Sequence, residues 1–116
     1  MGNVAELRPF SKKVDLVVKV LEKNEVREVT SKLDNSQHKV TEALVADATG
    51  SVLLTLWDDA IEKVEIGKSY AITNGYTSTF KDSVRLNIGR YGEFKEAEKE
   101  VGEVNTENNV SGKASA

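Results

Sequence analysis

Between residues 10 and 92 the apolar side chains recur at every second position, a period of two rather than the 3.6 of a helix, and this rhythm commits the chain to β structure. Val14, Leu16, Val18 and Val20 alternate with Asp15, Val17 and Lys19, a half-buried strand that continues, after a bulge near Lys23-Asn24, into Glu25–Ser31. The polar run Lys32–His38 is a loop, and Lys39–Asp47 is a second strand. Ala48-Thr49-Gly50 makes a tight turn in which Gly50 is free to take a positive φ. Ser51–Trp57 is a third strand, and Asp58–Val64 a brief amphipathic helix with Asp58 or Asp59 as its cap. Glu65–Lys68 turns the chain into a fourth strand, Ser69–Tyr76; Thr77–Asp82 is a hairpin loop, and Ser83–Ile88 a fifth strand.

Five antiparallel strands with a single helical interruption, between the third and the fourth, predict an all-β domain: a five-stranded Greek-key barrel of the OB type. An SH3-like barrel also has five strands but usually lacks a helix at that point, and ranks second.

A chain of 116 residues is one domain at most. It has no cysteine, which excludes a disulfide scaffold, a zinc ribbon and thiol chemistry. His38 is its single histidine, a poor basis for a metal cage or a Ser-His-Asp triad, and it reads as a solvated loop side chain. Apolar runs such as Leu16–Val18 and Val52–Leu54 are too short for a membrane span or a signal-peptide core, so the expectation is a soluble intracellular protein. Neither GxxxxGK nor GxGxxG occurs. No catalytic residue, metal or cofactor is expected.

The net charge of −3 is unevenly distributed. Residues 1–91 hold 13 Lys and Arg against 13 Asp and Glu, whereas residues 92–116 hold 3 against 6, so the whole acidity sits in the tail and the body is free to carry a basic face. The tail is also poor in large apolar residues after Phe94 and cannot bury enough surface to offset its ordering entropy. The expected division is therefore a folded domain at 1–92 and a charged, largely disordered tail at 93–116.

If Val52, Leu54 and Leu56 fill the barrel, Leu53, Thr55 and Trp57 point the other way. Trp57 then either stands on an open face or closes the end of the barrel. In the fifth strand Val84, Leu86 and Ile88 point inward, which turns Arg85 and Asn87 outward, where a guanidinium and an amide can meet phosphate and base. Phe80 in a polar hairpin has little to pack against. Aromatic rings beside basic side chains are what a single strand of nucleic acid needs, a face to stack on and a charge to neutralise. Strict alternation from Tyr70 and Ile72 turns Tyr76 inward, and it reaches the open face only if the strand bends or bulges at Gly75. Lys12-Lys13 reads as a solubilising strand end.

The run Asp47-Ala48-Thr49-Gly50-Ser51-Val52-Leu53-Leu54-Thr55-Leu56-Trp57, then Ile66-Gly67, then Tyr76-Thr77-Ser78-Thr79-Phe80-Lys81, resembles the simple archaeal single-stranded-DNA-binding proteins. These are similar in turn to the single-OB subunit of the human sensor-of-ssDNA complex and to replication protein A domains. The resemblance covers residues 4 to 92. It implies base stacking on Trp57, Tyr76 and Phe80, and a backbone path lined by Arg27, Lys32, Lys39, Lys81 and Arg85. It also implies an archaeal, cytoplasmic protein (nuclear if eukaryotic), acting as a monomer, with replication, repair or transcription proteins as candidate partners. The expected activity is sequence-tolerant coating of exposed single-stranded DNA; an OB module for RNA or for a protein partner is the alternative. The tail has no RGG stretch of the kind such proteins use for protein contacts.

Overall fold

The computed structural model describes residues 3–30, 32–80, 83–88, 92–98 and 101–113, with their side chains except those of Phe80, Gly112 and Lys113. Seven strands form in the order β1 (Val14–Lys23), β2 (Arg27–Thr30), β3 (Gln37–Asp47), β4 (Gly50–Trp57), β5 (Ser69–Phe80), β6 (Ser83–Asn87) and β7 (Glu93–Glu96). A short helix α1 (Asp59–Lys63) follows β4, and a helical turn α2 (Val110–Lys113) lies near the C-terminus.

Five of the strands close a ring. β1 pairs with β3, β3 with β4, β4 with β6, β6 with β5, and β5 returns to β1. The β4–β6 pairing is parallel and spans only Leu53↔Arg85, Leu54↔Leu86 and Thr55↔Asn87, while the pairs β1–β3, β3–β4, β5–β6 and β1–β5 are antiparallel. This is the Greek-key OB barrel. β2 and β7 are additions at its margins: β2 lengthens the β3 edge, and β7 pairs with β5.

β1 can serve two neighbours because it bends. It pairs with β5 from Val14 to Lys19 and with β3 from Lys19 to Lys23, and its register with β3 slips by one residue between Val20 and Glu22. The extra residue is Leu21, slightly before the bulge expected at Lys23-Asn24, and such an insertion sharpens the twist that barrel closure requires. The strand then breaks where Thr41 Oγ1 donates to the Asn24 carbonyl (2.7 Å), before the chain rejoins β3 as β2.

The inward set is the alternation made solid. Leu16, Val18, Val20, Val45, Val52, Leu54, Leu56, Ile72 and Leu86 are each at most 2% exposed. Tyr70 seals one end, its hydroxyl donating to the Lys63 carbonyl and accepting from the Glu65 N–H, with the Phe94 ring edge-on at 6.0 Å. Lys23 Nζ donates to the Ile61 and Val64 carbonyls (3.0 and 2.9 Å) and so ties α1 to β1 through its unpaired C-terminal acceptors.

Four local expectations change. Gly50 does not adopt a left-handed φ; a Cβ there would stand 2.8 Å from the Asn108 carbonyl oxygen, so this position needs glycine for space. Asp58 occupies the N-cap of α1 but makes no cap bond, because its carboxylate accepts instead from the Lys39 N–H (2.9 Å) and meets His38 Nδ1 (2.9 Å). His38, expected to be solvated, is thereby held between Asp58 and Ser36. The hairpin expected at Thr77–Asp82 is shorter, since β5 runs on to Phe80 and pairs with β6 up to Phe80↔Ser83.

The C-terminal segment also departs from the expectation of a largely disordered tail. Phe94 packs on the core from β7, and Val110 is 8% exposed within the core cluster. Ser111 sits where β4 and β6 diverge: its hydroxyl accepts from the Leu53 N–H (2.9 Å) and donates to the Val84 carbonyl, and its own carbonyl accepts from Ser83 Oγ (2.7 Å). Asn109 forms a parallel bridge with Ser51. A mostly polar segment is ordered here because it satisfies strand-edge groups that the short β4–β6 pairing leaves open, a source of stability that composition does not register. Among the described residues no helix is long and apolar enough to cross a membrane.

Candidate nucleic-acid interface

The outer surface of β2, β3, β4, β6 and β5 is one continuous face. A single row of register partners crosses it, Glu42↔Thr55, Thr55↔Asn87 and Asn87↔Tyr76. Trp57 lies two residues beyond Thr55 on the same side of β4 and opposite Val40. From strand spacing and rise alone, Trp57 and Tyr76 are on the order of 12 Å apart along this face. Both rings are exposed, Trp57 at 47% and Tyr76 at 43%, so the structure puts Trp57 on the open face rather than in the barrel's end.

Tyr76 faces outward because the strand bulges, one residue earlier than the glycine singled out from the sequence. Between Val14↔Gly75 and Leu16↔Ile72, β1 advances two residues while β5 advances three. Asn74 absorbs the surplus at φ 53°, held by its N–H donating to Asp15 Oδ1 (2.9 Å). Parity then inverts: Gly75 and Thr77 are buried and Tyr76 is exposed. Gly75 accepts the inward place because it lacks a Cβ, which would stand 3.0 Å from the Asn87 carbonyl.

Below Trp57 the charges form a triad. Glu42 Oε1 accepts from Arg27 Nη2 at 3.2 Å, and the other carboxylate oxygen pairs with Arg85. Arg85 also donates from Nε to Ser83 Oγ (3.2 Å). Burial, and after it the nearby Arg27 charge, lowers the Arg85 pKa from its ordinary value, but a guanidinium so placed stays charged. Two arginines share one carboxylate, which leaves one net positive charge at the middle of the face. Arg27, Val29, Thr55, Trp57, Thr79 and Arg85 border a hollow of about 290 Å³ there. Asn87 Nδ2 donates to Ser78 Oγ (2.9 Å), which ties the amide to the neighbouring strand β5.

Of the residues singled out from the sequence, the face therefore unites Trp57, Tyr76, Arg27, Arg85, Asn87 and Thr55. Lys32 is exposed in the turn joining β2 to β3. Lys39 is not brought to this face; it stands opposite Glu28 on the reverse side of the β2–β3 ribbon and borders a hollow with Asp58, Asp59 and Glu62. Lys81 and the Phe80 side chain lie outside the described residues. Sequence reasoning passed over Glu42, whose outward place opposite Thr55 was readable from alternation, and also Phe10, which is 69% exposed. Among the described residues no group of three or more His, Cys, Asp or Glu is placed to hold a metal ion.

The class that this fold defines is an OB barrel, here with two exposed aromatic rings and two guanidinium groups on one face. The chain belongs to the family described as single-stranded DNA binding protein Ssb-like, OB fold, which matches residues 7–96. That is a family of DNA-binding proteins and not of enzymes. The chain is 37% identical over 94 residues to the single-stranded DNA binding protein Ssb of Saccharolobus solfataricus, covering 81% of this chain and 62% of that one. It thus spans just under two thirds of that curated relative's length. The solution structure of a hypothetical protein from Arabidopsis thaliana superposes with a TM-score of 0.80 at 27% identity, over 95% of this chain and 81% of that chain. The second OB-fold domain of replication protein A from Methanococcus maripaludis shares the fold, with a TM-score of 0.67 at 20% identity, over 87% of this chain and 98% of that one.

Proposed function

We propose that this chain binds single-stranded DNA with little regard to sequence and covers strands exposed in replication, repair or transcription. The observation that carries this reading is the joint exposure of Trp57 and Tyr76 on one face, on either side of the Arg27–Glu42–Arg85 triad. Large rings left in water lose the stability their burial would bring, and this loss is understandable where a base is to cover them. Stacking is tolerant of sequence because every base has a π face, and the guanidinium groups answer the phosphates. Membership of a single-stranded-DNA-binding family supports the same reading.

In this reading Trp57, Tyr76 and Phe80 stack on bases. Arg27, Arg85, Lys32 and Lys81 follow the backbone, and Thr55 and Asn87 offer hydrogen bonds between the rings. Lys39, on the reverse of the ribbon, contributes through long-range charge alone. The protein acts as a monomer, and replication, repair or transcription proteins are its candidate partners.

The test is a titration of labelled dT and U oligomers and of a duplex, read by anisotropy at two salt concentrations. Single strands should bind, and with two to four phosphate contacts the salt slope should be about −1.4 to −2.8, at about −0.7 per contact. Equal affinity for duplex and single strand would remove the reading, and a preference for U over dT would turn it toward RNA.

A further inference from the structure

Beside Tyr76, on the side away from Trp57, lies a second and larger hollow of about 510 Å³, lined by Phe10, Lys12, Lys13, Tyr76 and Ser78 among others. Its far wall is the N-terminal arm, and the arm is fastened in place. Thr77, buried in β5, donates from its hydroxyl to the Arg8 carbonyl and accepts there from the Ser11 N–H (2.6 Å), while its own N–H donates to the Ser11 carbonyl (2.9 Å). Phe10 therefore projects from a segment clamped at both sides, and its ring is 69% exposed.

Phe10 is costly as it stands. Its backbone has φ 62°, a left-handed conformation that a bulky side chain rarely adopts, and its ring gains little from burial. Lys13, at φ 52°, carries the same kind of strain on the same rim. Lys12 and Lys13 form no salt bridge among the described residues, in contrast to Arg27 and Arg85, which share Glu42. The hollow thus offers an aromatic wall on each side and two ammonium groups, and Ser78 borders both this hollow and the one beneath Trp57.

We propose that the Phe10–Tyr76 hollow is a further subsite for the same single strand, in which Phe10 and Tyr76 take a base and Lys12 and Lys13 take the adjoining phosphates. The proposal rests on the reading of the Trp57 face as a single-strand surface and lengthens that surface around β5. A polyanion is the occupant the charges select, and continuity through Ser78 makes it the strand already lying on Trp57. The clamp at Thr77 keeps the arm ordered beforehand, so little entropy is lost when the strand arrives.

The test uses the full chain and dT oligomers of increasing length. Wild-type affinity should go on rising at lengths where Phe10→Ala has reached its plateau. Phe10→Ala should weaken the longest oligomers by roughly 5- to 160-fold, the range for loss of one stacked base, and leave the shortest within about 2-fold. Phe10→Trp should restore the long-oligomer gain. Lys12→Ser with Lys13→Ser should reduce the salt slope for long oligomers by about 0.7 to 1.4, one or two phosphate contacts. Both variants should melt with the wild type, since the side chains are exposed. If oligomers bind and weaken on Trp57→Ala, yet Phe10→Ala and the lysine pair match the wild type at every length, the subsite is wrong and the Trp57 face stands. If no oligomer binds the wild type, both readings fall. A change in sedimentation of Phe10→Ala without a change in DNA affinity would assign the ring to a second copy of the chain and overturn the proposal.

Discussion

Glu42 and Arg85 form an ion pair across the middle of the open face, and less than a fifth of either side chain is exposed, 17% and 16%. The second carboxylate oxygen of Glu42 engages Arg27 on the neighbouring strand β2. A carboxylate in this position aligns two guanidinium groups, and under the proposed function it also occupies the place a phosphate would take.

Glu42→Gln should therefore strengthen binding of single-stranded DNA at low salt and steepen the salt dependence by about 0.7 to 1.4, as one or two guanidinium groups become available. The same change should lower folding stability by about 1.5–3 kcal/mol, because a largely buried Arg85 loses its charged partner. Anisotropy titrations and chemical denaturation measure the two effects separately. Weaker binding with an unchanged slope would show that the carboxylate only holds the arginines in place.

Trp57→Ala should cost about 1–3 kcal/mol in DNA affinity, and Tyr76→Ala an amount in the same range. Neither should lower the melting temperature much, since both rings are about half exposed, whereas truncating a core tryptophan costs about 3–5 kcal/mol. Trp57 is the only indole in the chain, so its fluorescence should be quenched as a base covers it. A destabilised Trp57→Ala protein that still binds normally when folded would make the ring a packing residue.

Ser111→Ala should lower stability by about 1–3 kcal/mol, since the Leu53 N–H and the Val84 carbonyl both lose their partner. Truncation after Gly102 should cost more, because it also removes Val110 from the core. Thermal melts decide this, and DNA affinity per folded molecule should change little in either variant. A truncated chain that melts with the full one would show that residues 103–116 contribute nothing to the barrel.

The Lys39 N–H, and after it His38, lower the pKa of Asp58 from its ordinary value of 3.8. A carboxyl depressed in the folded state stabilises the fold above its unfolded pKa, and that contribution disappears as the pH falls through the folded value. The difference in melting temperature between wild type and Asp58→Asn should shrink as the pH falls below about 4. The asparagine keeps an acceptor for the Lys39 N–H, so the comparison isolates the charge. A difference that stays constant down to pH 3 would mean that the ionised form is not favoured.

The alternation of Val52, Leu54 and Leu56 with Leu53, Thr55 and Trp57, and of Val84 and Leu86 with Arg85 and Asn87, was enough to give the inward sets of β4 and β6 and the outward turn of Arg85 and Asn87; it left Trp57 either on the open face or at the barrel's end, which its 47% exposure decided. Side-chain direction in a strand has a local period, and local periods are written in the chain. The barrel order followed from where the helical interruption falls. The outward turn of Tyr76 did not follow, because it depends on how many residues of β5 are spent against β1, and Asn74 takes up the surplus only once those strands pair. The same holds for Glu42 bridging β2 and β6, for Ser111 filling the divergence of β4 and β6, and for Thr77 fastening the arm that presents Phe10. Each joins segments far apart in sequence, through hydrogen bonds and charges that have no periodic signature. The sequence by itself determined that Leu16, Val18, Val20, Val52, Leu54, Leu56, Val84 and Leu86 face the core; the marginal strands β2 and β7, the extension of β5 to Phe80, register, bulges and the partners of strand edges were decided only by tertiary structure, because they are properties of pairs of distant segments and not of either segment alone.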